Sequence, residues 1–242
     1  MQEMNETKKY LSLEETIDDA FQIWKKTALM GGLAFLFLIL ILTALVSVGM
    51  GYFFNAKELP ELIKDFNPEI LSSNVLLIYF GIVIGFTVLI SPFVAGMLKM
   101  AYDADNGKEV TFSSIYHYVN SPKFLDIILA TATISLFSVL LDNLIKNMLP
   151  NTLGEILGFM VSYAISILTF IAIPLVLFKN LNFIDALKLS CSRILNNFFP
   201  VLLLMIIAGI FSIIGIIAFC IGLFFTIPFA YAMQYSIYKR LG

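Results

Sequence analysis

The chain has little of what soluble domains and enzymes of its length use. Charged residues make up only 13%, and there are one histidine, one tryptophan and two cysteines. A single histidine excludes a zinc or iron centre built from several histidines of this chain. Two cysteines, Cys191 and Cys220, provide no disulfide framework. No P-loop, dinucleotide-binding glycine motif or Gly-x-Ser-x-Gly elbow is present. We therefore predict no catalytic residues, no cofactor and no bound metal.

Apolar residues dominate what is present. Hydrophobic residues make up 60% of the chain and aromatic residues 14%. A soluble domain needs far more polar surface, so this composition predicts an integral membrane protein in contact with a lipid bilayer. The formal net charge of -2 is too small to indicate a nucleic-acid partner. Residues 1–28 carry several charges and no apolar signal-peptide core, so the first span is expected to be an uncleaved anchor.

Several apolar runs reach the length of about 20 residues that a helix needs to cross a bilayer. Four of them are Leu29–Phe54, Asn74–Leu98, Leu125–Ile145 and Ile156–Phe178. The last stretch, Phe198–Tyr235, would measure about 57 Å as one helix at ~1.5 Å per residue. Because this is nearly twice the bilayer core, we expect two spans joined by a tight turn, best placed at Gly215. The sequence thus predicts an all-α bundle of six transmembrane helices.

The placement of basic residues predicts the orientation. Six spans put both termini and two loops on one side, which holds twelve of the fifteen lysine and arginine residues. Lys57, Lys64 and Lys146 fall on the other side. By the positive-inside rule both termini are cytoplasmic. We therefore predict one integral membrane domain, residues 1–242, in a bacterial cytoplasmic (inner) membrane.

A composite unit recurs three times, at about residues 11–98, 110–178 and 181–242. Each copy has a capped amphipathic segment, two apolar runs and a proline near the end of the second run. The caps are Ser12, Thr111 and Asn182, and the prolines are Pro92, Pro174 and Pro228. We interpret each copy as a cytoplasmic amphipathic helix followed by a two-span hairpin, since internal repeats build many membrane bundles.

Each proline is expected to kink or end its helix, because it lacks a backbone N–H. Three bends at a similar depth are either hinges that gate a central path or the means by which the helices wrap one another. The second interpretation is favoured.

The amphipathic segments have two interpretations. In the first copy one helical face is apolar and the other is acidic. The apolar residues are Leu13, Ile17, Ala20, Phe21 and Trp24, and the acidic ones are Glu14, Glu15, Asp18 and Asp19. Such a helix either lies in the membrane interface or packs under the bundle as a lid. These cytoplasmic helices are also the candidate contact site for a protein partner.

Polar residues inside the spans concentrate on two helix faces. The third span carries Thr131, Ser135, Ser138 and Asp142, and the fourth carries Ser162, Ser166 and Thr169. These polar stripes lie on antiparallel neighbours, so they either face one another in close packing or line a shared polar cavity. Asp142 is the only carboxylate that lies beyond the first turn of a predicted span, which makes it the default functional candidate. It can also pair with Lys146 one turn later. Packing is favoured over a transport path.

The single histidine, His117, lies beside Tyr116 and Tyr118 on the second amphipathic segment. A serine–histidine–acid relay would have to use it, yet the sequence has no nucleophile elbow. We therefore interpret His117 as a residue at the level of the lipid headgroups.

Several short motifs in the last third of the chain resemble a known family. They include Ile173-Pro174-Leu175, Phe183, Ala186, Leu187, Ser190, Arg193, Asn197-Phe198, the run Gly222-Leu223-Phe224-Phe225-Thr226-Ile227-Pro228, and Tyr238. This pattern resembles the six-span membrane domain of bacterial glycerophosphoryl diester phosphodiesterases and related uncharacterised multi-pass inner-membrane proteins. In those enzymes catalysis belongs to a separate soluble domain, and the resemblance implies no catalytic role for the membrane domain itself. No catalytic residue is therefore carried over to this chain.

The sequence accordingly predicts a non-enzymatic inner-membrane protein with a scaffold or envelope-maintenance role and an unknown ligand. The alternative is a small transporter or channel-like protein for a lipid or small solute, working between the two polar stripes. A membrane-embedded enzyme is the weaker alternative.

Overall fold

A computed structural model describes residues 11–53, 73–149, 151–217 and 221–242. In these ranges all regular elements are helices, which confirms the all-α fold class. In chain order they are α1 (Leu13–Phe53), α2 (Ser73–Asp105), a 3-10 helix (Phe112–Tyr116), α3 (Phe124–Met148), α4 (Thr152–Leu168), α5 (Ala172–Phe178), α6 (Phe183–Leu195), α7 (Phe198–Ile217) and α8 (Ile221–Leu241).

Five helical stretches within the described ranges are long and apolar enough to cross a membrane. They are Leu13–Ala44, Phe80–Asp105, Phe124–Met148, Thr152–Phe178 and Phe198–Gly215. These helices indicate a membrane protein. The helix α8 is not among them, and its C-terminal half carries Gln234, Lys239 and Arg240. The sixth span therefore stays a prediction.

The predicted turn at Gly215 is wrong. The helix α7 continues through Gly215 to Ile217, and α8 begins at Ile221. Gly215 instead lies against α8, where an added Cβ atom would come within 2.6 Å of the carbonyl carbon of Gly222. The missing side chain lets the two helices approach closely, which is a different use of the same residue type.

The helices form two groups joined by α2. In one group α8 packs between α1 and α7, and in the other α3 pairs with α4. The helix α2 contacts α1 and α8 on one side and α3 on the other. The short helices α5 and α6 pack together; both contact α3, and α6 also contacts α4.

Ion pairs hold both ends of the described chain at one end of the bundle, which we call the proximal end. Arg240 of α8 donates to Glu15 and Asp19 of α1, at 2.5 and 2.7 Å. Lys239 pairs with Asp105 at the end of α2, at 2.8 Å. The first and last helices are thus fixed to each other and to α2.

The buried core lies in the proximal half. Its largest fully buried side chains include Leu98, Leu175, Ile194, Leu204 and Phe229. In the distal half, which is the half of the bundle away from the proximal end, most large apolar side chains are exposed. For example, Leu144 and Phe159 expose 54% and 67% of their surface. Exposed apolar surface on this scale fits contact with lipid rather than with water.

The three amphipathic segments take three forms. The expectation of a separate helix before the first span is wrong, because α1 runs without a break from Leu13 to Phe53 and contains no proline. The second segment is only a 3-10 helix, and Thr111 makes no side-chain cap hydrogen bond. The third is α6, capped by Asn182 as predicted, with its side chain accepting from the N–H of Asp185 at 3.0 Å. The three-repeat architecture therefore stays a prediction.

The apolar face of the first segment points into the bundle. Ala20 is fully buried, and Leu13, Ile17 and Trp24 pack against the core. The ring of Phe21 lies 4.8 Å from that of Phe229 in α8. Of the two interpretations, packing within the bundle is the one that the described contacts support.

Candidate functional site

Each of the three prolines leaves the carbonyl four residues earlier without its helical N–H donor. These carbonyls belong to Val88, Phe170 and Phe224. In α2 the hydroxyl of Ser91 donates to the Val88 carbonyl at 2.7 Å. In α8 the Phe224 carbonyl lies against Gly32 of α1, where an added Cβ atom would collide with it. The prolines at these two places, Pro92 and Pro228, stand inside continuous helices and do not end them.

The fourth predicted span is interrupted, since α4 ends at Leu168 and α5 begins at Ala172. The interruption precedes Pro174, which lies in the first turn of α5. The freed carbonyl of Phe170 accepts from the side-chain amide of Gln234 at 2.6 Å. The carbonyl of Leu168 accepts from the hydroxyl of the fully buried Ser190 at 2.8 Å. Side chains from α8 and α6 thus satisfy backbone carbonyls at the break, as buried irregular backbone requires.

The polar stripes of α3 and α4 meet at one point. The hydroxyl of Ser162 donates to the backbone carbonyl of Ser138 at 3.3 Å. The buried Gly158 of α4 lies directly against the carboxylate of Asp142, where an added Cβ atom would collide with it. Asp142 pairs with Lys146 at 2.7 Å. These contacts belong to close packing of the two helices.

The remaining stripe residues have local roles. Ser166 and Thr169 donate to carbonyls of their own helix, at 3.1 and 2.8 Å. Thr131 and Ser135 are half-buried on α3. None of the predicted stripe residues lines either of the two cavities described below.

Replacing Asp142 by asparagine is expected to lower the free energy of unfolding by less than about 1 kcal/mol. The reason is that Lys146, its partner in the ion pair, is 45% exposed and keeps its solvation when the carboxylate is lost. Unfolding of the purified variant in detergent measures this. A loss above about 2 kcal/mol would show that Asp142 supports more than a helix-surface ion pair.

A polar cluster lies where α2 meets the 3-10 helix. Asp103 pairs with Lys99 at 2.6 Å, and its other carboxylate oxygen is buried and has no hydrogen-bond partner among the described residues. Burial, and then the positive charge of Lys99, lower the pKa of His117. Burial and the charge of Asp103 raise the pKa of Tyr118 to about 12. Both rings are therefore neutral at pH 7.

The His117 ring packs edge-on against Tyr118, with centroids 4.9 Å apart. Within the part of the chain that the structure describes, the ring makes no hydrogen bond to a hydroxyl or a carboxylate. The arrangement that a serine–histidine–acid relay needs is therefore not assembled there. The described residues also contain no group of three histidine, cysteine, aspartate or glutamate side chains able to hold a metal ion.

Two surface cavities lie at the proximal end. The first, of about 730 Å³, is lined by α1 residues and is called the α1 groove. Its lining residues are Glu14, Glu15, Ile17, Asp18, Phe21 and Lys25. The second, of about 420 Å³, lies between α1 and the end of α2 and is called the α1–α2 cavity. Its lining includes Lys26, Leu29, Met30, Ala104 and Lys108.

The α1 groove combines negative charge with an apolar floor. Ile17 and Phe21 form the floor and also pack against the core. The exposed carboxylates of Glu14 and Asp18 make no ion pair within the described ranges, while Glu15 is held by Arg240. Among the described residues the groove therefore presents negative charge that lacks an ion-pair partner, beside apolar surface.

Sequence reasoning predicted a partner site on the amphipathic helices but neither the α1 groove nor the α1–α2 cavity. Helical periodicity placed Ile17 and Phe21 on one face of the first segment and Glu14 and Asp18 on the other, whereas the groove lies along the border between the two faces. Lys26 and Lys108 are far apart in the sequence, and only the packing of α1 against the end of α2 brings them to one cavity.

No family model, curated protein or solved structure matches this chain. The resemblance to the membrane domain of the phosphodiesterases therefore stays a prediction.

Proposed function

We propose that the protein is a non-enzymatic scaffold of a bacterial cytoplasmic membrane that docks a partner protein at the α1 groove. The observation that carries the proposal is the groove itself, where Glu14 and Asp18, which have no ion-pair partner among the described residues, lie beside the apolar floor of Ile17 and Phe21. The proximal end is then the cytoplasmic end, in agreement with the basic residues concentrated there. On this proposal α8 is the sixth span.

Ring packing and ion pairs hold the α1 residues of the groove against α7 and α8. The ring of Phe21 packs against Phe211 and Phe229, with centroids 5.5 and 4.8 Å away. Arg240 fixes the same part of α1 to α8 through Glu15 and Asp19. A binding surface that is already ordered loses little conformational entropy when a partner binds.

The charge and apolar surface of the groove favour one kind of partner. Carboxylates beside exposed apolar carbons suit an amphipathic helix that carries lysine or arginine next to leucine-like side chains. Such a partner gains charge complementarity with Glu14 and Asp18 and buries its apolar side on Ile17 and Phe21. The attraction is electrostatic in part, so binding should weaken as salt is added.

A transport path has less support. The residues that would line it, above all Ser138, Asp142 and Ser162, make contacts typical of helix packing. We therefore propose no transport role for the polar stripes.

Replacing Asp18 by lysine is expected to abolish recovery of the partner. The protein is purified from native membranes in mild detergent, and the stoichiometric partner is quantified by mass spectrometry. Reversing an exposed charge in the groove places like charges opposite one another, which weakens such a contact at least tenfold. The matched control is Glu109→Lys, which makes the same charge change at an exposed residue outside the groove.

The proposal is supported if Glu109→Lys retains a partner with a basic amphipathic segment and Asp18→Lys loses it while both variants melt at the same temperature. Equal recovery with both variants, or a partner without a basic segment, would contradict docking at the groove.

A further inference from the structure

The α1–α2 cavity is lined by two lysines from different parts of the fold. Lys26 lies on α1 and Lys108 lies just beyond the end of α2. Lys26 Nζ donates to the backbone carbonyl of Ala104 at 3.1 Å. Lys108 Nζ lies 5.4 Å from the centroid of the Tyr102 ring. Neither contact neutralises a positive charge.

The acidic residues at the end of α2 are already paired elsewhere. Asp103 binds Lys99 at 2.6 Å, and Asp105 binds Lys239 at 2.8 Å and accepts from the Tyr235 hydroxyl at 3.2 Å. The neighbouring Glu109 is exposed and does not line the cavity. Within the described ranges Lys26 and Lys108 therefore have no carboxylate partner, and the cavity carries unbalanced positive charge.

The end of α2 fixes the position of Lys108. The Gly107 N–H donates to the carbonyl of Ala104 at 3.4 Å, and the Lys108 N–H donates to that of Asp103 at 2.8 Å. Gly107 has a φ of 68°. This is a Schellman motif, which needs a residue in the left-handed region and turns the chain back over the helix. The motif thereby places Lys108 at the cavity that Lys26 also lines.

One wall of the cavity continues as an apolar strip along α1. Leu29 lines the cavity and is 59% exposed, and Leu33 and Leu40 further along the helix are 46% and 59% exposed. Leu29 is also where the first apolar run of the sequence begins. The ammonium groups therefore lie at the boundary between the polar end of the bundle and its lipid-facing surface.

We propose that the α1–α2 cavity binds the phosphate of an anionic phospholipid, with an acyl chain along the strip of Leu29 and Leu33. The proposal places the phosphate diester against the ammonium groups of Lys26 and Lys108, the two lysines that line the cavity, and the hydrocarbon against the leucines. Basic pockets between membrane helices bind lipid headgroups in this way. The cavity is separate from the α1 groove, and this inference does not depend on the docking proposal.

The test uses soluble short-chain lipids and the full chain. Delipidated protein in detergent is titrated with dioctanoyl-phosphatidylglycerol, dioctanoyl-phosphatidylcholine or inorganic phosphate, and bound species are counted by native mass spectrometry. The variant Lys26→Gln/Lys108→Gln removes both charges while glutamine keeps a donor for Ala104. The matched control Lys179→Gln/Lys188→Gln removes two exposed charges from the same end of the bundle.

We expect phosphatidylglycerol to bind more tightly than phosphatidylcholine, and the Lys26/Lys108 variant to bind it about 25-fold more weakly, or about fivefold per lysine. The control should bind like the wild type. Equal affinity for the two lipids, or an unchanged affinity in the Lys26/Lys108 variant with an unchanged melting temperature, would overturn the proposal. Inorganic phosphate binding as tightly as the lipid would assign the cavity to a free anion and overturn the lipid assignment.

Discussion

Replacing Gly96 by alanine is expected to lower the free energy of unfolding by about 3 kcal/mol. Gly96 lies in α2 where that helix crosses the 3-10 helix. A Cβ atom there would lie 2.5 Å from Cα of Ile115 and 2.6 Å from its carbonyl carbon. Because these are backbone atoms of a fully buried residue, no side-chain rotation relieves the clash. One of the two elements has to move, and the proximal core opens with it.

The same helix supplies the control. Gly85 has nothing within 4 Å of an added Cβ atom. Gly85→Ala should therefore cost nothing, or stabilise the helix by up to about 1 kcal/mol. Unfolding of both variants in a denaturing detergent titration compares them directly. Equal stability of the Gly96 and Gly85 variants would mean that α2 does not pack on the 3-10 helix in this way.

Replacing Gln234 by leucine is expected to cost about 2 kcal/mol, because the Phe170 carbonyl loses its donor inside the bundle. This carbonyl depends on Gln234 since residue 174 is proline and supplies no N–H. The next helical bond, from the Leu175 N–H to the Ile171 carbonyl at 3.0 Å, is in place. An ordinary residue at position 174 would thus present its N–H toward Phe170.

A double-mutant cycle tests this cause. In the background of Pro174→Ala, the restored N–H takes over the Phe170 carbonyl, and Gln234→Leu should cost less than about 1 kcal/mol. The four free energies of unfolding give the coupling. If Gln234→Leu costs the same with proline and with alanine at position 174, the glutamine acts through packing and not through the freed carbonyl.

Short-range signals in the sequence predicted local features well. The cap at Asn182 and the pairing of Asp142 with Lys146 both depend on residues within one turn of helix, and the structure shows both. Thr111 has a similar pattern but makes no cap hydrogen bond, and Pro122 follows soon after, so no α-helix forms there. A cap signal is too weak to produce a helix by itself.

Features that depend on packing could not be predicted. Helical periodicity gave the apolar face of the first amphipathic segment, but not that α1 continues unbroken into the membrane span. The sequence marked Pro174 as a break, whereas the donors that satisfy the break, Ser190 and Gln234, come from α6 and α8. Long-range partners of this kind are fixed by how helices cross, which one sequence does not reveal.

The role of the polar stripes also could not be predicted from the sequence. Their spacing left packing and a transport path open, since both place small polar residues on one face. The hydrogen bond from Ser162 to Ser138 and the contact of Gly158 with Asp142 support packing. The surfaces with unbalanced charge lie instead at the proximal end, at the α1 groove and the α1–α2 cavity.

Site-specific photo-cross-linking in native membranes tests most directly whether the α1 groove is the working surface. Benzoylphenylalanine replaces Lys25, which lines the groove and whose replacement leaves Glu14 and Asp18 in place, or, in a separate strain, Ser135 on the polar stripe of α3. We predict that position 25 gives one strong adduct with a second protein, that added salt weakens it, and that position 135 gives none. An adduct with a second protein from position 135 alone, or an adduct from position 25 that joins only to residues 1–10 of the same chain, would contradict the account.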